Sequence, residues 1–216
     1  MKFRRKSAEP DLATEEVDAP GADDQDQADV RPSGPLDVDD LAAADAVQRI
    51  DLGSLLIQPE PDRELRIQVD EKSGQVQSVV LAGPDGALEL RAFAAPRNGD
   101  LWSDSKRQMA AEIAQRGGTA TEREGRFGTE LLCQVPVQRD GRTGSQPSRI
   151  IGINGPRWFL RANLLGRPAV EPESSAEWED TIARVAVRRG AGAVPPGEPL
   201  PVVLPESARR VEPPTA

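Results

Sequence analysis

Between Ala8 and Val30 every ionisable side chain is an acid: Glu9, Asp11, Glu15, Glu16, Asp18, Asp23, Asp24, Asp26 and Asp29, spaced by Ala, Pro, Gly and Gln. Such a stretch holds too little apolar surface to offset backbone ordering at roughly 1–2 kcal/mol per residue, and its like charges repel. At the other end, prolines at 195, 196, 199, 201 and 205 remove backbone donors and favour polyproline II over helix or central strand. A fold therefore has to come from the residues between. The chain divides into a disordered acidic tail over 1–46, a single α+β domain over 47–190, and a Pro-rich extended or disordered tail over 191–216. Within that last tail, Leu200, Val202, Val203 and Leu204 are able to pack back as an arm.

Charge follows the same division. The 216 residues carry 36 Asp and Glu against 27 Lys and Arg, a net −9, but residues 1–49 hold 13 acids and 6 bases and so account for −7 of it. What folds is nearly neutral. Even so, no basic run exceeds Arg4-Arg5-Lys6 and tyrosine is absent, which argues against nucleic acid as a partner. The basic start is followed by polar, acidic residues rather than a signal-peptide apolar stretch, and no window approaches the ~18 apolar residues of a membrane span. The expected location is cytoplasmic, where Cys133 stays a reduced thiol packed inward.

The sequence has no histidine and one cysteine. That removes Ser-His-Asp triads, Cys-His pairs, imidazole proton shuttles, His-ligated metals and internal disulfides. No catalytic residue, metal ligand or cofactor is expected.

Hydrophobic periodicity outlines the domain. In Glu64–Asp70, Leu65, Ile67 and Val69 alternate with polar residues, the mark of a half-buried strand. Turn residues at Glu71–Gly74 lead to a β-branched strand over Gln75–Ala82. Gly83-Pro-Asp-Gly86 turns the chain into a third strand, Leu88–Ala94, so these form an antiparallel meander, preceded by a short strand over Asp51–Ile57. Asp100 is placed to cap a helix over Leu101–Arg116, ended by Gly117-Gly118, with Trp102, Met109 and Ile113 on its buried stripe. Further strands are expected over Glu130–Gln138, with Pro136 marking an edge or bulge, over Ser148–Ile153, and over Trp158–Leu165. A last helix should begin near Ser174, where Ser174-Ser-Ala-Glu177 has capping-box spacing, and run to Ala183 with Trp178 and Ile182 inward; Val185 and Val187 then close the sheet. The order describes helices packed on a mainly antiparallel sheet.

Chemistry-bearing motifs are few. Gly83-Pro-Asp-Gly and Gly141-Arg-Thr-Gly lack P-loop spacing and read as hairpin turns, and Gly53-Ser54 lacks the second glycine of a nucleophile elbow. Paired carboxylates, with Glu124 and Glu130 or Glu89 and Asp85 as nominal candidates, leave a carboxylate-based hydrolase or transferase as the enzymatic alternative. The more unusual feature lies on Trp158–Leu165. Trp158, Leu160, Ala162 and Leu164 point one way; Arg157, Phe159, Arg161 and Asn163 point the other. An aromatic residue flanked by guanidiniums can grip an acidic group through bidentate bonds and cation–π contacts. With Arg91 and Phe93 on the neighbouring strand, this face is the candidate binding site for a protein partner or a small anionic ligand. The competing expectation is that a helix covers the face, Phe159 is core, and the arginines pair with Glu89 or Glu130. The acidic tail is itself a possible occupant, as an autoinhibitory arm.

Gly34-Pro-Leu-Asp, Ile50-Asp-Leu-Gly-Ser-Leu, Leu90-Arg-Ala-Phe-Ala-Ala-Pro-Arg, Phe127-Gly-Thr-Glu-Leu and Gly155-Pro-Arg-Trp-Phe-Leu-Arg, together with the Arg-Arg-Lys start and acidic tail, resemble an uncharacterised actinobacterial family, domain of unknown function 3710. The resemblance spans nearly the whole chain and implies a cytoplasmic bacterial protein of open role. More distantly, the order of elements is similar to the Mog1/PsbP-like α/β/α sandwich, whose members are mostly adaptors and assembly factors. That implies a non-enzymatic binding or regulatory module, by analogy of fold alone.

Overall fold

Residues that alternate in the sequence alternate across a sheet. The structure, a computed structural model, describes residues 34–41, 46–70, 72–97, 99–139 and 141–205. The disorder expected of the acidic tail falls largely on residues 1–33 and 42–45, outside the described ones. In chain order the elements are β1 (Leu36–Asp37), β2 (Ile50–Asp51), β3 (Leu55–Ile57), β4 (Glu64–Val69), β5 (Val76–Ala82), β6 (Gly86–Ala94), α1 (Leu101–Gln115), β7 (Thr119–Gly125), β8 (Gly128–Arg139), β9 (Arg142–Asn154), β10 (Trp158–Gly166), α2 (Pro172–Arg184) and β11 (Ala186–Val187).

Seven strands form an antiparallel sheet in the order β4-β5-β6-β10-β9-β8-β7, and four short ones a second sheet in the order β1-β11-β3-β2. The β4-β5-β6 meander follows from the turns at 72–74 and 83–86. On one face of the large sheet, Leu88, Leu90, Ala92, Leu160, Ala162, Leu164 and Ile151 meet Trp178 and Ile182 of α2, together with Leu55, Ile57 and Val187 of the small sheet. On the other face Leu131, Cys133, Ile150 and Phe159 meet Trp102, Met109 and Ile113 of α1. The fold is α+β, a mainly antiparallel sheet with one helix on each face.

Local chemistry accounts for the helix ends. Asp100 accepts the Ser103 backbone N–H at 3.0 Å and caps α1. Its carboxyl lies below the usual carboxylate range, first because of the Ser103 hydroxyl, then the Ser103 N–H and the Asn154 amide. The expected cap at Ser174 is corrected. Helix α2 starts earlier, with Glu171 as N-cap and Pro172 in its first turn, where proline's missing N–H costs nothing. The Ser174 hydroxyl instead donates to Glu171 at 3.1 Å. Asp51–Ile57 is not one strand but the β2–β3 hairpin; Gly53, at φ 79°, makes its turn and its N–H donates to Asp51 Oδ1 at 2.8 Å. Strand β7 was not expected, because Thr-Ala-Thr-Glu-Arg-Glu-Gly is an edge sequence with little apolar alternation. Pro136 faces Ser145 of β9 on one side and lies past Gln134, where the pairing with β7 stops, so its missing N–H interrupts no ladder.

Both flanks reach into the folded body, beyond the 47–190 boundaries that composition suggests. Leu36 and Asp37 complete the open edge of β11 in parallel pairing, the Leu36 N–H donating to Val185 O at 2.8 Å. Asp37 also accepts the Trp158 indole N–H at 2.7 Å. In the Pro-rich segment, the N–H groups of Gly197 and Leu200 donate to the carbonyls of Ala94 and Ala92, and the Ala94 N–H donates to Glu198. This arm occupies the edge of β6 beyond Leu90, where the pairing with β5 ends. Leu200 is 3% exposed, whereas Val203 and Leu204 face solvent.

Candidate anion-binding site

Helix α1 packs over β7, β8 and β9 and reaches β10 through Trp102 at Phe159; among the described residues no helix packs on the rest of that sheet face, on β4, β5, β6 and the Arg161 end of β10. Side chains of β6 and β10 meet here in register: Phe93 opposite Phe159, Arg91 opposite Arg161, Glu89 opposite Asn163. The Arg91 and Arg161 guanidinium carbons each lie 5.4 Å from the Phe93 ring centroid, within cation–π range. Neither arginine forms an ion pair among the described residues, although like charges directly opposite on paired strands oppose each other. Burial pulls the Arg161 guanidinium below its ordinary range; Glu89 opposes this, Arg91 adds to it and Glu112 opposes it more weakly. In this cluster Arg91 Nε and Asn163 Oδ1 are buried and find no hydrogen-bond partner among the described residues. The Asn163 amide N–H donates to Glu89 Oε2 at 3.4 Å.

The five residues expected at a binding face divide. Arg91, Phe93 and Arg161 are half-buried and converge. Phe159, placed among the binding residues, instead follows the competing expectation and belongs to the core at 2% exposed: Trp102 of α1 stacks over it with centroids 6.0 Å apart, and Phe93 lies 5.8 Å away. The approach depends on Gly152, where a Cβ would stand 2.1 Å from the Trp102 ring. Arg157 is exposed just before β10, four residues and roughly 13 Å along the strand from Arg161. It makes no side-chain hydrogen bond, ion pair or ring contact among the described residues. Glu89 and Asn163 join the cluster because strand periodicity returns them to the same face.

The carboxylates considered for chemistry are engaged separately. Glu130, 0% exposed, accepts Arg123 Nε and Nη2 at 2.9 and 2.6 Å, and its other oxygen lies 2.8 Å from Arg149. Arg149 also pairs with Glu179 of α2 at 2.6 Å. Glu124 accepts the Thr129 hydroxyl at 2.6 Å, and Asp85 receives the Trp178 indole N–H at 3.5 Å. An open depression of about 450 Å³ near the β5–β6 turn is lined by Arg63, Glu64 and Arg66, but Arg63 pairs with Glu60 and Arg66 with Glu64. Among the described residues no three His, Cys, Asp or Glu side chains gather as metal ligands, and no helix is long and apolar enough to cross a membrane.

A family sequence profile described as "Protein of unknown function (DUF3710)" matches residues 34–211. The chain belongs to this family. The DUF3710 match takes in the whole of both sheets and the Pro-rich arm. No curated protein matches the chain. Two solved structures are similar to this DUF3710 chain. One is a protein from Bacteroides thetaiotaomicron, 15% identical, with 65% of this chain and 47% of that chain covered and a TM-score of 0.37. The other is cyanobacterial PsbP (CyanoP) from Synechocystis sp. PCC 6803, 12% identical, with 68% and 96% covered and a TM-score of 0.37. The chain spans about half the length of the Bacteroides protein it matches.

Proposed function

We propose that this domain is a non-enzymatic cytoplasmic binding module that takes a carboxylate or phosphate group between Arg91 and Arg161. The observation that carries the reading is their register: two half-buried arginines directly opposite one another, both guanidiniums against Phe93 and neither ion-paired among the described residues. An anion lying between them would turn a repulsive pair into two charge-assisted contacts, on a ring that keeps both side chains from swinging away. The reading leaves no carboxylate pair for acid–base work, since Glu130, Glu124 and Asp85 each hold another partner.

The test is titration calorimetry of the full chain with inorganic phosphate and with hexanoate, on wild type and on Arg91→Met and Arg161→Met. Binding to wild type that weakens at least about tenfold in either variant, with unchanged circular dichroism, is the expected result. Absence of binding to wild type, or equal binding by all three proteins, overturns it.

A further inference from the structure

We infer that the ligand is zwitterionic, carrying an ammonium group about 7 Å from its anionic group; this rests on the anion reading above and names the class of ligand that the same site selects. Along β6 and β10 the site has two rows. Arg91 and Arg161 form the first; Glu89, two residues before Arg91, and Asn163, two after Arg161, form the second. At about 3.4 Å per residue the rows stand roughly 7 Å apart on one face.

The second row has the opposite chemistry. Glu89 makes no ion pair among the described residues, and its recorded partner is the Asn163 amide at a long 3.4 Å. Its carboxylate acts on Arg161 through space without closing on it. Elsewhere this protein pairs its charges readily: Arg123 with Glu130, Arg63 with Glu60, Arg188 with Asp51, Lys106 with Glu122. A face that holds two cations and one anion side by side, all half-buried and none ion-paired among the described residues, is matched by a ligand of the reversed pattern. A simple dianion gains at the first row and is repelled at the second. A molecule with an ammonium at its far end satisfies both rows, and Val80 of β5, the register partner of Glu89, lies on the same face beside an apolar stem.

The probes are hexanoate, glycine, 5-aminopentanoate and 6-aminohexanoate, titrated into wild-type full-length protein and Glu89→Gln. Wild type should bind 5-aminopentanoate or 6-aminohexanoate about tenfold tighter than hexanoate, while glycine, whose charges are too close together, gains nothing over hexanoate. In Glu89→Gln the preference should shrink to within about twofold, with hexanoate bound as well or better. Equal wild-type affinity for hexanoate and the ω-amino acids overturns the zwitterion inference while leaving the anion site intact. A preference that persists in Glu89→Gln also overturns it. No binding of any of these four probes overturns the zwitterion inference, and no binding of inorganic phosphate besides overturns the anion reading with it.

Discussion

Glu130 and Arg149 face each other across β8 and β9 at 2.8 Å, both sealed from solvent, and Arg149 continues to Glu179 so that a single guanidinium ties the sheet to α2. Removing Glu130 leaves the buried Arg149 with Glu179 as its one remaining carboxylate among the described residues. Glu130→Leu should cost about 3–5 kcal/mol in urea unfolding, because Arg149 and Arg123 then lose their shared acceptor. The double variant Glu130→Leu, Arg149→Leu should cost clearly less than the two single changes added together. Strict additivity would show that the contact carries no coupling.

Trp102 lies flat on β9 because Gly152 has no side chain. Gly152→Val must lift α1 from the sheet or push Trp102 off Phe159, at a cost of about 1–3 kcal/mol. Tryptophan fluorescence should shift to longer wavelength as Trp102, now 6% exposed, is wetted. An unshifted spectrum with full stability would mean that helix and strand are not in this contact.

The Pro-rich arm should contribute to stability rather than trail from the domain. Leu200→Ala empties a core position and should lower stability by about 2–5 kcal/mol in thermal or urea unfolding. The arm also pairs with the edge of β6 at Phe93, on the strand that carries Arg91. A cost under about 0.5 kcal/mol would place Leu200 outside the core.

Asp100 gives the first helix a pH dependence of known sign. Its carboxyl is depressed in the folded protein, so the stability it adds is fully present above the unfolded aspartate value, near pH 4, and is lost as pH falls through the lower folded value. Asp100→Ala should cost about 0.5–2 kcal/mol at pH 7, and wild type and variant should converge in stability at acid pH. A constant gap down to pH 2 would contradict the capping role.

Cys133 is 2% exposed, and burial pushes its thiol above the ordinary range, with a hydrogen bond to Ser148 pulling the other way. Reaction with Ellman's reagent at pH 8 should be slow in native protein and immediate in denaturant. Rapid labelling of folded protein would show that α1 opens readily.

Strong periodicity made the sheet legible. Val76–Ala82, Gly86–Ala94 and Trp158–Gly166 carry alternation or β-branched runs, and the turns between them are spelled in Gly, Pro and Asp. Strand β7 was not legible because an edge strand under a helix needs only small or polar residues. The start of α2 was misplaced because Ser-x-x-Glu spacing also occurs one turn inside a helix. At the site, alternation grouped Arg91, Phe93 and Arg161 on one face. It could not say that α1 would stop short of the arginines yet cover Phe159, since that limit is set by Trp102 meeting Gly152 from a distant part of the chain. Charge pairing was equally hidden: nothing in Arg149's own strand announces a carboxylate waiting on α2.

The small sheet sets an order of events. Ala186 is the register partner of both Leu36 and Leu56, so β1 and β3 have no common neighbour until β11 exists, some 150 residues after Leu36. Contacts of such separation close late in folding. Substitutions in this sheet should therefore speed unfolding while leaving the folding rate nearly unchanged, making β1 and β11 the seam at which the native state first opens.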